Sequence, residues 1–354
     1  FMIILNEIKI KPIFFDSMGA KCSSVLIETP DIRILVDPGA AGMQGSYPLP
    51  SEEKERLRNE ALKRIGKASE SCDFIFISHY HYDHHTLPSN IPKGIANFYK
   101  NKTIWAKDPN RYINHSQWQR ARNFFEELGG EGIYTKPGKV YYKPIEEELP
   151  IALSKDYGDY TQRKKELLKK GEEWFKKLLT IWQTERWVKE FSTPEWSVRF
   201  IDGREYNFGS TKIRFTRPLF HGIEYDRVGW VVSLVVEQNG KKFIYSSDLQ
   251  GPQIEDYAEW IIEENPDVLV LDGPATYLFG YMMNRINLNR AIDNMMEILK
   301  RTKTDPIIYD HHLLRERRYK ERLSKVYNEG KSRVLTAAEL MGKEPLILTI
   351  HSTD

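Results

Sequence analysis

Residues 78–86 read Ser-His-Tyr-His-Tyr-Asp-His-His-Thr, so four imidazoles and one carboxylate fall within seven positions, directly after the apolar run CDFIFIS (72–78). Packing such a segment into an apolar core would bury many ring nitrogens that need partners. A divalent metal ion removes that cost, because each neutral imidazole donates a lone pair to it. His79 and His81 stand one residue apart in a loop leaving a strand, so both can turn toward one ion. Asp83 and His84 follow as the chain winds on, and they can face a second ion nearby. One hard carboxylate among several borderline nitrogens fits Zn, Fe or Mn rather than Ca or Mg.

The other candidate ligands also stand at strand ends. His221 follows IRFTRPLF, Asp248 ends KKFIYSS, and His311 and His312 follow PIIYD. Each comes straight after an apolar β-run, where a side chain emerges at a sheet edge on a rigid support.

The first forty residues read as short strands, followed by a charged helix over 51–70 that opens on a Ser cap. Residues 108–128 read as helix, and 132–135 and 139–143 as strand. A long amphipathic helix is expected over 158–190, within a helical insertion at about 158–193. Strands return from 196, with an Asn239-Gly240 hairpin signal between two of them. Helices are expected near 286–302, 313–328 and 336–341, and EPLILTI reads as a last strand. Strands, helices, strands, helices: that order suggests two packed sheets flanked by helices, forming one domain over 2–354.

The chain has 354 residues, 40% of them hydrophobic, which excludes a disordered polymer, and no apolar stretch is long enough to span a membrane. With 52 basic and 50 acidic residues, the net charge of +2 argues against a surface coated for phosphate binding. Two cysteines without CxxC spacing fit a reducing, cytoplasmic compartment. The 29% charged content suits a thermophile.

The segment SHYHYDHH resembles the HxHxDH signature of the metallo-β-lactamase superfamily, and residues 20–315 follow that superfamily's order of ligands. YDHHLLRE (309–316) is also similar to an archaeal family within it. The resemblance implies an α/β fold: a four-layer αβ/βα sandwich of two mixed sheets flanked by helices. It implies that His79, His81 and His221 bind one metal, that Asp83, His84 and His311 bind another, and that Asp248 bridges them. Asp37 would orient the motif loop. His311 is preferred over the adjacent His312 because phosphodiesterase members carry an Arg four residues after that His, as Arg315 stands here. Two divalent transition-metal ions are therefore expected, zinc first, with iron or manganese as alternatives.

The activity so implied is hydrolysis by a water held between two metals. Asp83 and Asp248 are expected at the reacting centre, with His312 and Arg315 beside the substrate. A phosphodiester or other phosphate ester comes first, drawn by Arg315 and the basic residues of 204–227. A lactone or thioester is the alternative, with Tyr80, Tyr82, Tyr225, Trp230 and Tyr277 as candidate apolar lining. A non-catalytic metal-binding or RNA-associated protein is the reading from another class. The partner expected is thus a small-molecule or nucleotide-like substrate; a nucleic acid is not favoured, and no membrane is expected. There is no GxGxxG, Walker loop or GxSxG elbow, so no nucleotide cofactor is implied.

Overall fold

The computed structural model describes residues 1–350; residues 351–354, the end of the expected domain, lie outside them. Two sheets face one another. The first has eight strands in the order Ile3–Leu5, Ile8–Phe15, Ser23–Glu28, Arg33–Val36, Phe74–Ile77, Lys102–Ala106, Trp196–Phe200 and Phe191–Ser192. The second has seven: Glu205–Phe208, Thr211–Phe215, Leu234–Gln238, Lys241–Tyr245, Val268–Asp272, Ile307–Asp310 and Val334–Leu335. Both are mixed, antiparallel on one side and parallel on the other, except that the edge strand Phe191–Ser192 of the first pairs antiparallel.

Alternation along each strand explains the layering, because successive side chains point to opposite faces. Ile34, Val36, Phe76 and Trp105 from the first sheet meet Ile213, Val236, Phe243 and Val270 from the second in one buried cluster between the sheets. Leu35, Ile75 and Ile104 point the other way, toward Leu57, Leu62 and Ile65 of the helix Ser51–Ser69 and Phe124 of the helix His115–Gly129. On the far side Leu269, Leu271 and Ile307 share a core with Ile261 of Glu255–Glu264 and Met295 and Ile298 of Arg285–Arg301. The result is the four-layer αβ/βα sandwich. Strands with both faces covered are apolar throughout, as Val268–Asp272 shows.

The Asn239-Gly240 hairpin is as expected. Gln238 pairs with Lys241, and both turn residues have positive φ (49° and 73°), the backbone that a two-residue turn between twisted strands requires.

The long charged helix runs Thr161–Thr184, and the chain then returns to strand at Trp187–Val188 and Phe191–Ser192. Its apolar face is pinned to the body. Trp174 stacks on Trp230 with centroids 5.6 Å apart, and Lys164 pairs with the buried Glu224 at 3.1 Å. Arg290 holds that same Glu224 and also Glu255.

Several expected elements differ. The helix expected from 108 begins at His115, because Asp108 accepts from Asn110 N to shape a loop and Asn114 caps the helix by accepting from Gln117 N at 2.8 Å. Pro50, not a Ser side chain, precedes the helix at 51. Residues 139–143 form no strand. The stretch 313–328 breaks into a 3-10 turn, His311–Arg315, and two short helices, Tyr319–Arg322 and Ser324–Gly330. EPLILTI holds a helical turn, Leu346–Thr349, not a strand; a short apolar run has no periodicity to tell the two apart. No helix among the described residues is long and apolar enough to cross a membrane.

Candidate metal centre

Parallel strands deliver their C-terminal ends to one edge of the sandwich. Asp37 follows Val36, the histidine loop follows Ile77, Asp248 lies three residues beyond Tyr245, and His311 follows Asp310. Residues 230 positions apart thereby meet. His221 arrives from the short strand Leu219–Phe220, whose partner strand Trp230–Val231 also lies beside the histidine loop: Val232 N donates to Ser78 O.

The centre forms around Asp248 Oδ2. His84 Nε2 and His221 Nε2 each lie 3.1 Å from it, and His79 Nε2 and His311 Nε2 each lie 3.5 Å away. His81 Nδ1 faces His79 Nε2 at 3.0 Å, while Asp83 Oδ2 lies 3.8 Å from His311 Nε2. Three overlapping donor sets result: His79, His81, His221 and Asp248; Asp83, His84 and His311; and Asp248, His311 and His312. His221 Nε2 and both Asp248 oxygens are buried without a hydrogen-bond partner among the described residues. Ring nitrogens directed at one another and at an orphaned carboxylate are the arrangement that a cation between them satisfies. The residues therefore fit divalent metal ions. Without such a cation, positive charge falls to the imidazoles themselves: burial would lower His84, but Asp248 and Asp37 push it up to about 10. Burial likewise opposes ionisation of Asp248, yet His84 and His311 hold it well below the usual carboxylate range.

Outer partners orient each ring. Asp37 Oδ2 accepts from His84 Nδ1 (2.8 Å), Ser78 Oγ (2.6 Å) and Tyr245 Oη (2.7 Å), and Oδ1 accepts from Ser78 N. His79 Nδ1 meets Ser78 Oγ at 3.0 Å. The Gln117 and Gln250 side chains lie beside His81 Nε2 and His221 Nδ1 at 3.3 and 3.0 Å. These contacts commit one nitrogen of a ring and leave the other free for a metal.

His311 and His312 diverge. His311 turns Nε2 to the centre while Nδ1 bonds Asp16 Oδ1 at 2.8 Å. His312 Nδ1 bonds Asp272 Oδ1 at 2.9 Å, and its ring lines the adjoining cleft. His85 bonds the His81 carbonyl and packs on Phe124, inside the motif loop.

Arg315 reaches the cleft, as expected, and is also bound within the protein. It borders the cleft but is buried, with Nε on Asp16 Oδ2 (2.7 Å) and Nη2 on Asp83 Oδ2 (3.1 Å), so two carboxylates of the chain already occupy it. None of the lysines or arginines of 204–227 lines the cleft; Lys21 and Arg120 do. Of the five aromatics expected there, only Tyr82 and Tyr277 line it. Tyr80 is buried and bonds the Lys107 carbonyl, whereas Trp230 packs against Trp174 and Trp182 and Tyr225 against Phe175.

Sequence reading missed Asp16, Lys21, Arg120, Gln117 and Gln250, none of which stands in a motif. Gly39 supports the motif loop from below. A Cβ there would lie 2.2 Å from His85 N and 2.5 Å from the His84 carbonyl carbon, so the motif loop rests on this glycine. Gly39→Ala is expected to lower stability by roughly 2–3 kcal/mol and to reduce metal loading; a wild-type melting temperature with full metal content would show that the loop tolerates the displacement.

Sandwich and histidine-aspartate centre together define a protein of the metallo-β-lactamase superfamily, and residues 19–85 match the Metallo-beta-lactamase superfamily directly. A UPF0282 protein of Methanopyrus kandleri is 34% identical over 351 residues, covering 97% of each chain. One from Korarchaeum cryptofilum is 31% identical over 339 residues, covering 95% of this chain and 90% of the relative. The chain belongs to the UPF0282 family. Among solved structures, the metallo-beta-lactamase fold protein YhfI from Bacillus subtilis aligns over 96% of this chain and 97% of its own, with a TM-score of 0.44 and 13% identity. Human tRNase Z, short form, aligns over 85% and 91%, with a TM-score of 0.38 and 12% identity.

Proposed function

We propose that the protein is a binuclear metal-dependent hydrolase acting on a phosphate ester, a phosphodiester first. The observation that carries this reading is the convergence of four histidines on Asp248, with His81 and Asp83 in the adjoining donor sets and donor atoms left unpaired. His79, His81 and His221 would hold one ion, Asp83, His84 and His311 the other, and Asp248 would serve both. Divalent transition-metal ions bound there, zinc first and iron or manganese as alternatives, supply Lewis acidity and activate water at neutral pH.

The chain's own residues select and orient the substrate. The centre adjoins a cleft of 330 Å³ lined by Lys21, Arg120, Tyr82, Tyr277 and His312. Lys21 Nζ has no ion-pair partner among the described residues, and Arg120 rests over the Tyr82 ring at 4.8 Å. Both are free to meet anionic oxygens, which favours a phosphate ester over a lactone or thioester. Arg315 holds Asp83 in place. His312, with Asp272 on its Nδ1, keeps Nε2 for a proton passing to or from the leaving group.

A panel of bis-p-nitrophenyl phosphate, a lactone and a glutathione thioester tests the reading, with metal content measured alongside. Turnover of the phosphodiester is expected, and Lys21→Ala or Arg120→Ala should raise KM roughly tenfold while changing kcat less. Turnover of the lactone or thioester instead overturns the substrate class. Full metal loading with no turnover on any of them favours a non-catalytic protein.

A further inference from the structure

A second cleft, of 360 Å³, shares no lining residue with the one at the metal centre. Its walls include Arg111 and Tyr112, the segment holding Tyr141, Tyr142 and Lys143, and Arg217 with Pro218. The middle segment, KPGKVYYKP (136–144), has no regular secondary structure and exposes three lysines. Tyr141 is 74% exposed and Tyr142 50%, among the most exposed large apolar side chains of the described residues.

Their setting is built. Tyr112 Oη donates to the Tyr141 carbonyl at 3.1 Å, and the Tyr142 ring meets Phe175 at 5.6 Å. Arg111 is anchored through Nε on Asp108 (2.8 Å), which leaves the end of its guanidinium available. Lys143 and Arg217 are exposed and form no ion pair within 4 Å among the described residues. Two acids also line the cleft. Asp202 Oδ1 accepts from Asp108 N at 2.7 Å, and its Oδ2 has no hydrogen-bond partner among the described residues, with Lys107 Nζ 3.9 Å away; Glu148, the other, faces Lys143 and Arg217. Two cations without an ion pair, Lys143 and Arg217, and the outer end of the Asp108-bound Arg111 guanidinium stand beside exposed aromatic faces. An apolar partner would leave those cations unpaired, and a bare phosphate would leave the rings in water. A nucleotide uses both, stacking its base and pairing its phosphate.

The geometry points to this cleft as a nucleotide-binding site, taking a base on Tyr141 or Tyr142 and its phosphate on Arg111, Lys143 and Arg217. Arg217 stands four positions ahead of His221, roughly 13 Å along extended chain. The nucleotide is either free or one unit of a single strand held beside the metal centre. The inference does not rest on the hydrolase reading.

Binding of AMP by calorimetry and of a fluorescein-labelled ten-residue oligoadenylate by anisotropy distinguishes the two sources. The purified protein is compared with Tyr141→Ala/Tyr142→Ala and with Arg217→Ala. Saturable binding is expected, weakened roughly fivefold or more by the tyrosine pair and falling further as salt rises from 50 to 200 mM. Melting temperature and metal content should stay at wild-type values in these exposed-site variants. Binding of AMP identifies a free nucleotide as sufficient, and binding of the oligomer alone identifies a strand. The proposal is overturned if neither probe binds, or if the tyrosine variant binds both as tightly as wild type does.

Discussion

Asp248→Ala is expected to lose at least one of about two metal equivalents per chain and to lower phosphodiester turnover by roughly 10³-fold or more. Asp248 Oδ2 lies within 3.5 Å of a nitrogen from each of four histidines, so no other single substitution removes as much from the centre. The carboxylate also offsets the positive charge that gathers there. With it gone, Asp37 is the one acid left within 4 Å of His84 among the described residues, and Asp83 is the acid left beside His84 and His311. His81→Ala should act similarly on the set containing His79 and His221. Elemental analysis with single-turnover assays checks both, and unimpaired metal content and activity in the pair of variants would refute the centre as drawn.

The second large effect is expected at Asp16, away from any motif. Its two oxygens bond His311 Nδ1 and Arg315 Nε, and Oδ1 also accepts from Cys22 N. Burial would raise its pKa, but His311 and Arg315 together hold it well below the usual carboxylate range. Asp16→Ala would leave the Arg315 guanidinium, whose side chain is 5% exposed, with Asp83 as its remaining acid. A loss of roughly 3–5 kcal/mol of stability is expected, because removing one member of a buried pair strands the other. Metal affinity should fall roughly 10–100-fold through the freed His311 ring. Asp16→Asn keeps the shape and one acceptor, so it should lose less stability than the alanine. Chemical denaturation and competition with a chelator measure the two effects separately. Equal stability in all three proteins would show that Arg315 finds another acceptor.

The candidate ligands were open to reading because they carry their chemistry in their own side chains. A dense HxHxDH segment after a strand needs partners wherever it folds. Single residues at later strand ends supply them, in chain order. The hairpin at Asn239-Gly240 was equally open, since positive φ restricts which residues can stand there. Less legible were elements set by contact. Leu346–Thr349 is too short for a period to separate helix from strand, and the loop 108–114 is shaped by Asp108 and Asn114 side chains bonding to nearby backbone.

The cations facing the cleft at the centre show the same division. Basic residues at 204–227 stand near His221 in the chain, yet Arg214 pairs with Glu264 and Arg204 with Glu190, away from the centre. Lys21 and Arg120 reach it from distant elements. Proximity in sequence says little about proximity across two sheets.

What this chain's sequence determined by itself is the donor chemistry, the order in which donors arrive at strand ends, and the alternation that makes two sheets with covered outer faces. What only the tertiary structure decided is which outer residues serve them: Asp16 behind His311, Asp272 behind His312, Gly39 beneath the motif loop, and Arg315 bound internally. The reason is physical. A ligand is recognised by its own atoms, whereas a supporting residue is defined by distance to another segment, and that distance exists only once the sheets have packed.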